Sequence, residues 1–287
     1  MARIGLAVRS GIEDARQLGQ QVIDWAAKHK HEILCEYETA EIFGIRGSAA
    51  DDLVARADTV ISLGGDGTLI GLARHVGKGS PVFIGVNFGK LGFLTEIAPP
   101  ELLSVLEHAL AGSAALEERS LLKCSVVRDG KEIFASQAIN DAVILKQAQA
   151  KLLDINLAVN GDTVMDLRAD GLIFATSIGS TAYSLAAGGS IVHPSLEVAL
   201  VTPICPHSLT VRPFVLPLTY PLCATIPEYE DELLLSVDGQ VSTALRSKDQ
   251  VKISRCEYLA RFAVSPSKSY FEILRRKLNW GLANKSA

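Results

Sequence analysis

The chain predicts a two-part protein. An α/β N-terminal domain is built on a doubly wound, mainly parallel sheet, and a β-rich layered C-terminal domain follows it. A C-terminal helix then packs back on the first domain. Three observations predict this. Strand and helix patterns alternate over the first third. A buried strand ends abruptly at Gly64-Gly65-Asp66-Gly67-Thr68, and a helical stripe follows it. From Glu117 to about Val264, strand signals separated by hairpin turns take over. The expected boundaries are 1–116, 117–264 and 265–287.

Residues 3–8 read as the first buried strand rather than a signal segment, because the apolar run is short and has no cleavage site. Ala15, Leu18, Val22 and Trp25 make a helical stripe, and Glu32–Tyr37 offers a second strand. Asp58–Leu63 is the third strand. Leu69, Leu72, Ala73 and Val76 give the helix after it one apolar face, and Pro81–Val86 is the fourth strand. In the second part Ile155, Leu157 and Val159 alternate and then meet Asn160-Gly161. Leu233–Val237 runs into Asp238-Gly239 in the same way; both dipeptides favour tight hairpins. After Ser265-Pro266-Ser267, Phe271, Leu274 and Leu278 share a helical face that needs a partner.

Composition narrows the function. The 287 residues are 48% hydrophobic with a formal charge of −4, and the mean hydropathy is +0.24. Such a chain can bury a large core. It carries no basic stripe to neutralise nucleic-acid phosphates, and its longest apolar runs are strand-length, so no membrane span is expected. Cys35, Cys124, Cys205, Cys223 and Cys256 are scattered and odd in number. They read as buried reduced thiols of a cytoplasmic protein.

Two clusters carry chemistry. Glycines flanking Asp66 let the backbone approach a ligand closely. The helix behind them directs free N–H groups to the same spot, which favours phosphate. A carboxylate there must hold a metal or accept a proton from an incoming hydroxyl, or it would repel the ligand. The second cluster, Arg168-Ala169-Asp170-Gly171-Leu172 and then Gly179 through Gly189, is dense in small residues and hydroxyls. It suits a polar ligand, with Tyr183 offering a ring or a hydroxyl.

These motifs resemble the NAD kinase family. The likeness runs from Gly64–Thr68 through Gly85-Val86-Asn87, Leu91–Glu96, Asn140-Asp141, Asp170-Gly171-Leu172 and Gly179–Ala186. It continues through Thr202–Leu209 and Arg212-Pro213 to Val237-Asp238-Gly239-Gln240. Lipid kinases and phosphofructokinases share the first motif; the ordered set is far more specific. The resemblance implies phosphoryl transfer to the adenosine 2′-hydroxyl of NAD to give NADP. ATP would be the donor, with Mg²⁺ or another divalent cation held through phosphates and Asp66. It also implies a homo-oligomer, dimeric or tetrameric.

The same resemblance assigns Asp66 as the catalytic carboxylate, with Gly67 beside it and Phe93 near a ring of the ligand. Asn140 and Asp141 would hold NAD hydroxyl and amide groups. Lys151, Arg168 and Asp170 would contact the dinucleotide, Asp170 across a subunit boundary. Thr181, Ala182, Tyr183, Ser184, Leu185 and Ala186 would wrap the nucleotide, and Gln240 would add a contact. Against the family's usual Thr-Pro-Thr/Ser-Gly, this chain reads Thr176-Ser177-Ile178-Gly179. Ile178 therefore removes a hydroxyl expected at the ligand, and Ser177 relaxes a turn that proline would fix. Two other readings stay open. One is a lipid or sugar kinase sharing the glycine motif, and the other is a non-catalytic NAD(P) sensor.

Overall fold

Short apolar runs separated by helices pair in parallel, and the first part of the chain does so. The computed structural model describes residues 1–89, 92–146, 151–227, 229, 232–265 and 268–279. Leu91, Pro266 and Ser267 of the motifs above lie outside these. The chain divides into two compact units. One is Met1–Glu118 with the segment from Tyr258, and the other is Arg119–Glu257.

In the first unit β1 (Arg3–Val8), β2 (Glu32–Glu36), β3 (Gly47–Ser48), β4 (Thr59–Gly64) and β5 (Val82–Asn87) are parallel, in the order β5-β4-β1-β2-β3. The order reverses beside β1, so the carboxyl ends of β1 and β4 border the crevice where open α/β sheets bind ligands. The helices are α1 (Glu13–Lys28), α2 (Tyr37–Phe43), α3 (Ala50–Arg56), α4 (Asp66–Ala73) and α5 (Leu102–Leu110). α1 and α5 share one core with Leu6, Ile61 and Ile84. α3 and α4 approach Gly5 and Gly85 through Leu53 and Leu69, at places where a β-carbon would leave only 2.7 Å. Trp25 of the α1 stripe packs half-buried against the α1–α5 core and also stacks on His29, while Ala26 beside it is fully buried. α4 buries Leu69, Leu72 and Ala73 as the stripe predicts, with Ile70 beside them, and Val76 just beyond it is buried too.

The second unit contains β6 (Leu116–Arg128, its first residues in the other unit), β7 (Lys131–Ala138), β8 (Asp141–Lys146), β9 (Leu153–Val159), β10 (Asp162–Ala169) and β11 (Gly171–Thr176). A 3₁₀ turn (Ile178–Thr181) and the one-turn helix α6 (Tyr183–Ala186) follow. Then come β12 (Val198–Ile204), β13 (Phe214–Pro217), β14 (Leu222–Thr225), β15 (Leu233–Val237), β16 (Val241–Leu245) and β17 (Gln250–Ala263). One antiparallel sheet has the order β13-β12-β11-β8-β15-β16, and β10-β9-β14-β17 make a second antiparallel run. Alternate residues from both, such as Ile155, Leu157, Phe174 and Leu235, fill one shared core. That is the expected layering. Both foreseen hairpins turn on residues with positive φ, 52° at Asn160 and 53° at Asp238. Asp129-Gly130 makes a third such turn between β6 and β7.

The last residues of β17 return to the first unit, where Arg261 and Phe262 pair in parallel with β5. The sequence reading kept this strand in the second domain, because one continuous 14-residue strand gives no break at the crossing. α7 (Tyr270–Leu278) belongs to the first unit, capped by Ser269. It buries Ile273 and Leu274, while Phe271 and Leu278 are exposed. The buried stripe is thus displaced by one residue from the expected Phe271–Leu278 face. Of the thiols, Cys205, at a positive-φ corner after β12, is exposed and Cys223 is half-buried, contrary to expectation, while the other three are buried. Burial pushes Cys35 and Cys124 up to about 12, which keeps both as thiols at neutral pH. No helix among the described residues is long and apolar enough to cross a membrane.

Candidate active site

β4 ends at Gly64, and α4 begins two residues later with Asp66, so the carboxylate stands at a helix N-terminus. The 93–95 segment wraps it. Oδ2 accepts from the Phe93 N–H at 2.8 Å. Oδ1 accepts from Leu94 N–H at 3.1 Å, Thr95 N–H at 3.0 Å and the Thr95 hydroxyl at 2.9 Å. Successive N–H groups on one carboxylate hold the charged form in a fixed orientation. Lys277 of α7 lies 3.8 Å from Oδ2 and sits over the Phe93 ring at 5.1 Å.

The glycines here differ in what they serve. A β-carbon at Gly92 would meet Asp66 Oδ1 at 2.1 Å, and one at Gly64 would meet Thr68 Oγ1 at 2.8 Å. Those two are glycines because the turn packs tightly. A β-carbon at Gly67 would touch nothing within 4 Å, and one at Gly65 would reach only the Arg9 guanidinium at 4.0 Å. The space in front of these two is open to a ligand.

In the second unit, the Asp238 carboxylate accepts from three consecutive N–H groups: Ile139 at 2.9 Å, Asn140 at 2.8 Å and Asp141 at 3.0 Å. Its own N–H returns a bond to the Asp141 carbonyl at 2.8 Å. The hairpin corner is therefore the clamp that shapes the Asn140-Asp141 turn. The Thr176 hydroxyl donates to the Ile139 carbonyl at 2.6 Å and accepts from the Gly179 N–H at 3.1 Å, binding this turn to the segment before α6. Ser184 and Thr202 pair at 2.8 Å beneath that segment. Tyr183 presents its ring to solvent.

Asp141 is the most perturbed group in this cluster. Burial, and then the charge on Asp238, push its carboxyl up to about 7, partly offset by the Tyr183 N–H that it accepts. A carboxyl whose pKa is higher folded than unfolded binds its proton more tightly in the native state, which loses stability as pH rises between those values. For Asp141 that window runs from the ordinary carboxyl value of 3.8 to about 7. Asp141→Asn is expected to be more stable than wild type at pH 8, by about 4 kcal/mol at most, with the gap closing toward pH 4. Paired melting curves across that range check it; a constant gap would contradict the burial argument.

Other expected site residues stand apart from these clusters in what they contact. Arg168 and Asp170 do not pair with each other: Arg168 faces Asp154 across the β9–β10 ladder at 3.5 Å, while Lys146 bonds Asp170 at 2.8 Å. Lys151 is exposed, and its carbonyl accepts the Tyr229 hydroxyl. Gln240 closes the hairpin through its N–H on Val237. Thr181 and Ala182 are half-buried, as is Leu185, and Ala186 is exposed. Ile178 is only 7% exposed. The side chain standing where the family presents a hydroxyl is thus mostly interior. Ser177 has φ −58°, a value that proline also adopts, so the turn keeps its shape without the ring.

Residues 4–114 match the family model of the ATP-NAD kinase N-terminal domain, and residues 139–265 match that of the ATP-NAD kinase C-terminal domain. The chain belongs to the NAD kinase family. It is 40% identical to an NAD kinase of Geotalea daltonii over 96% of this chain and 98% of that protein. Among solved structures, a yeast NADH kinase complexed with NADH superposes with a TM-score of 0.90 at 22% identity. It covers 100% of this chain and 90% of its own. An NAD kinase from Archaeoglobus fulgidus in complex with ATP gives 0.73 at 24% identity, over 98% and 97%. At those identities the structural likeness is one of fold.

Within this NAD kinase frame, the sequence reading gave no separate role to four residues at these turns: Thr95, Asp238 as a clamp, Arg9 and Lys277. The Asp-Gly hairpin was a signal for Asp238's position. Nothing local signals a lysine 211 residues from Asp66.

Proposed function

We propose that this chain phosphorylates NAD at the adenosine 2′-hydroxyl, with ATP as donor and Mg²⁺ or another divalent cation, giving NADP and ADP. The observation that carries this reading is Asp66, fixed by four hydrogen bonds at a helix start whose two flanking glycines open on free space. Oδ2 carries one hydrogen bond and the longer ion pair, so it retains capacity for the hydroxyl proton. As that proton passes to Asp66, the 2′-oxygen bonds to the γ-phosphorus, and the bond from phosphorus to the β,γ-bridging oxygen breaks. ADP leaves with that electron pair.

Asn140, Asp141, Tyr183 and the residues around α6 serve the dinucleotide in this reading, with Gln240, Lys151, Arg168 and Asp170 as further contacts. Among the described residues, no three His, Cys, Asp or Glu side chains gather to hold a metal ion. A single carboxylate fits a Mg²⁺ ion carried mainly by substrate phosphates; such an ion would neutralise charge on the transferred group. A homo-oligomer in the cytoplasm goes with this reading. Support for the substrates comes from the neighbours solved with NADH and with ATP. A lipid or sugar kinase is not favoured, because the C-terminal family match spans the strands that bear the second cluster.

The test is a donor-and-acceptor panel with the purified protein. NADP formation from NAD, ATP and Mg²⁺ is expected. A sensor would form none, and phosphorylation of a lipid or sugar in its place would sink the proposal.

A further inference from the structure

We infer that Arg9 and Lys277 form a two-cation cradle over the Gly65–Asp66 turn, which holds the terminal phosphate of a phosphoanhydride donor. The inference rests on the kinase reading above and names the residues that bind the group being transferred.

Arg9 follows β1, and its N–H donates to the Leu63 carbonyl at 2.9 Å, so the end of β4 fixes its backbone. Its β-carbon would lie 3.1 Å from a β-carbon at Gly64, which directs the side chain across the turn. The guanidinium Nη1 then stands 4.0 Å from the β-carbon position of Gly65. Among the described residues, Arg9 has no ion-pair partner. An arginine placed over a carboxylate-bearing turn with no acid of its own has donors to give to a ligand.

Lys277 arrives from the opposite end of the chain. Its ammonium lies 3.8 Å from Asp66 Oδ2, too long for a committed hydrogen bond, with the Phe93 ring on another side at 5.1 Å. The side chain remains 30% exposed. An ammonium has three donors, and a ring face and one long ion pair leave room for an anion. The two cations therefore attend consecutive residues of one turn, and a β-carbon at Gly67 would meet nothing within 4 Å. Positive charge fixed where a phosphoryl group gains charge is the usual means of stabilising its transfer.

The surroundings offer room for the rest of such a donor. A cavity of about 420 Å³ opens beside Arg9 at the start of α1, lined also by Ser10, Ile12, Glu13 and Arg16. Among the described residues, Glu13 is the one acid on its wall, and Arg16 lies 3.9 Å from it. A nucleoside triphosphate and inorganic polyphosphate present the same terminal group, so the cradle itself is blind to which one donates.

Initial rates with ATP and with inorganic tripolyphosphate as donors, for wild type, Arg9→Met, Lys277→Met, Arg9→Lys and Lys277→Arg, test this. Each methionine variant should lose about 10²-fold in kcat/KM for whichever donor wild type uses, with the KM for NAD within twofold. The charge-keeping variants should recover part of the loss. Calorimetric titration with tripolyphosphate alone should show weaker binding in both methionine variants. Wild-type donor kinetics in natively folded methionine variants would overturn the cradle, as would a loss confined to the KM for NAD. If a methionine variant fails to fold, the charge-keeping variant decides by its donor kcat/KM: intermediate supports the cradle, and wild-type activity counts against it. If wild type makes no NADP with any donor, the kinase reading fails, while the tripolyphosphate titrations still judge the cradle.

Discussion

Asp66→Asn should lower the turnover number for NADP formation by at least about two orders of magnitude, the scale of lost general-base assistance. The geometry adds a second cost. An amide has one accepting oxygen, whereas both Asp66 oxygens accept backbone N–H groups from the 93–95 segment. Whichever way the amide turns, its NH₂ faces a donor. Losing a charge-assisted bond of this kind costs roughly 1.5–3 kcal/mol, so the melting temperature should fall along with the rate. NAD binding is assigned to the second unit and should persist. Stopped-flow or steady-state rates, paired with titration of NAD, separate these effects. Near-wild-type turnover at saturating NAD, with binding lost, would make Asp66 a binding residue and place the catalyst elsewhere.

What the sequence revealed and what it hid divide along the range of the interactions. The parallel first unit was legible because β4 and β5 are apolar runs bounded by glycine and proline. The Asn160-Gly161 and Asp238-Gly239 corners were legible because only certain residues accept positive φ. All of these signals act within a few residues. α2 and α3 escaped notice: each is seven residues long and buries only two side chains, too short for periodicity to register. β3, with two residues, has no pattern at all.

The candidate site shows the same division more sharply. Asp66 and the Asn140-Asp141 pair stand out as motifs, but what holds them is distant in sequence. Asp66 is held by residues 27 to 29 positions away and the Asn140 turn by one 98 positions away. A hydrogen bond between a carboxylate and a remote backbone N–H leaves no trace in composition or spacing. Ile178 illustrates the converse. The family pattern marked it as a departure, and its burial at that turn was not readable from the residues alone.

Gly179→Ala is expected to disable the second unit's cluster with little direct effect on Asp66. A β-carbon there would stand 2.1 Å from the Asn140 carbonyl oxygen and 2.6 Å from its carbon, both backbone atoms that no rotamer change can move aside. The Asn140 carbonyl cannot simply withdraw, because it accepts the Thr176 N–H at 2.9 Å. The Asn140 and Asp141 N–H groups are clamped by Asp238 from the other side. The strain must therefore break either the clamp or the Thr176–Gly179 bond. Overpacking of this kind costs about 1–3 kcal/mol, occasionally more, so the variant should fold with a lowered melting temperature. Because the displaced turn carries both residues assigned to NAD, affinity for NAD should fall at least about tenfold, a loss of about 1.4 kcal/mol. The donor KM should change little. Gly67→Ala gives the contrast: its β-carbon meets nothing within 4 Å, so stability should hold while phosphoryl transfer suffers. Thermal melts and NAD titrations on the two variants check the pair. If Gly179→Ala binds NAD like wild type, the Asn140-Asp141 turn does not serve the dinucleotide.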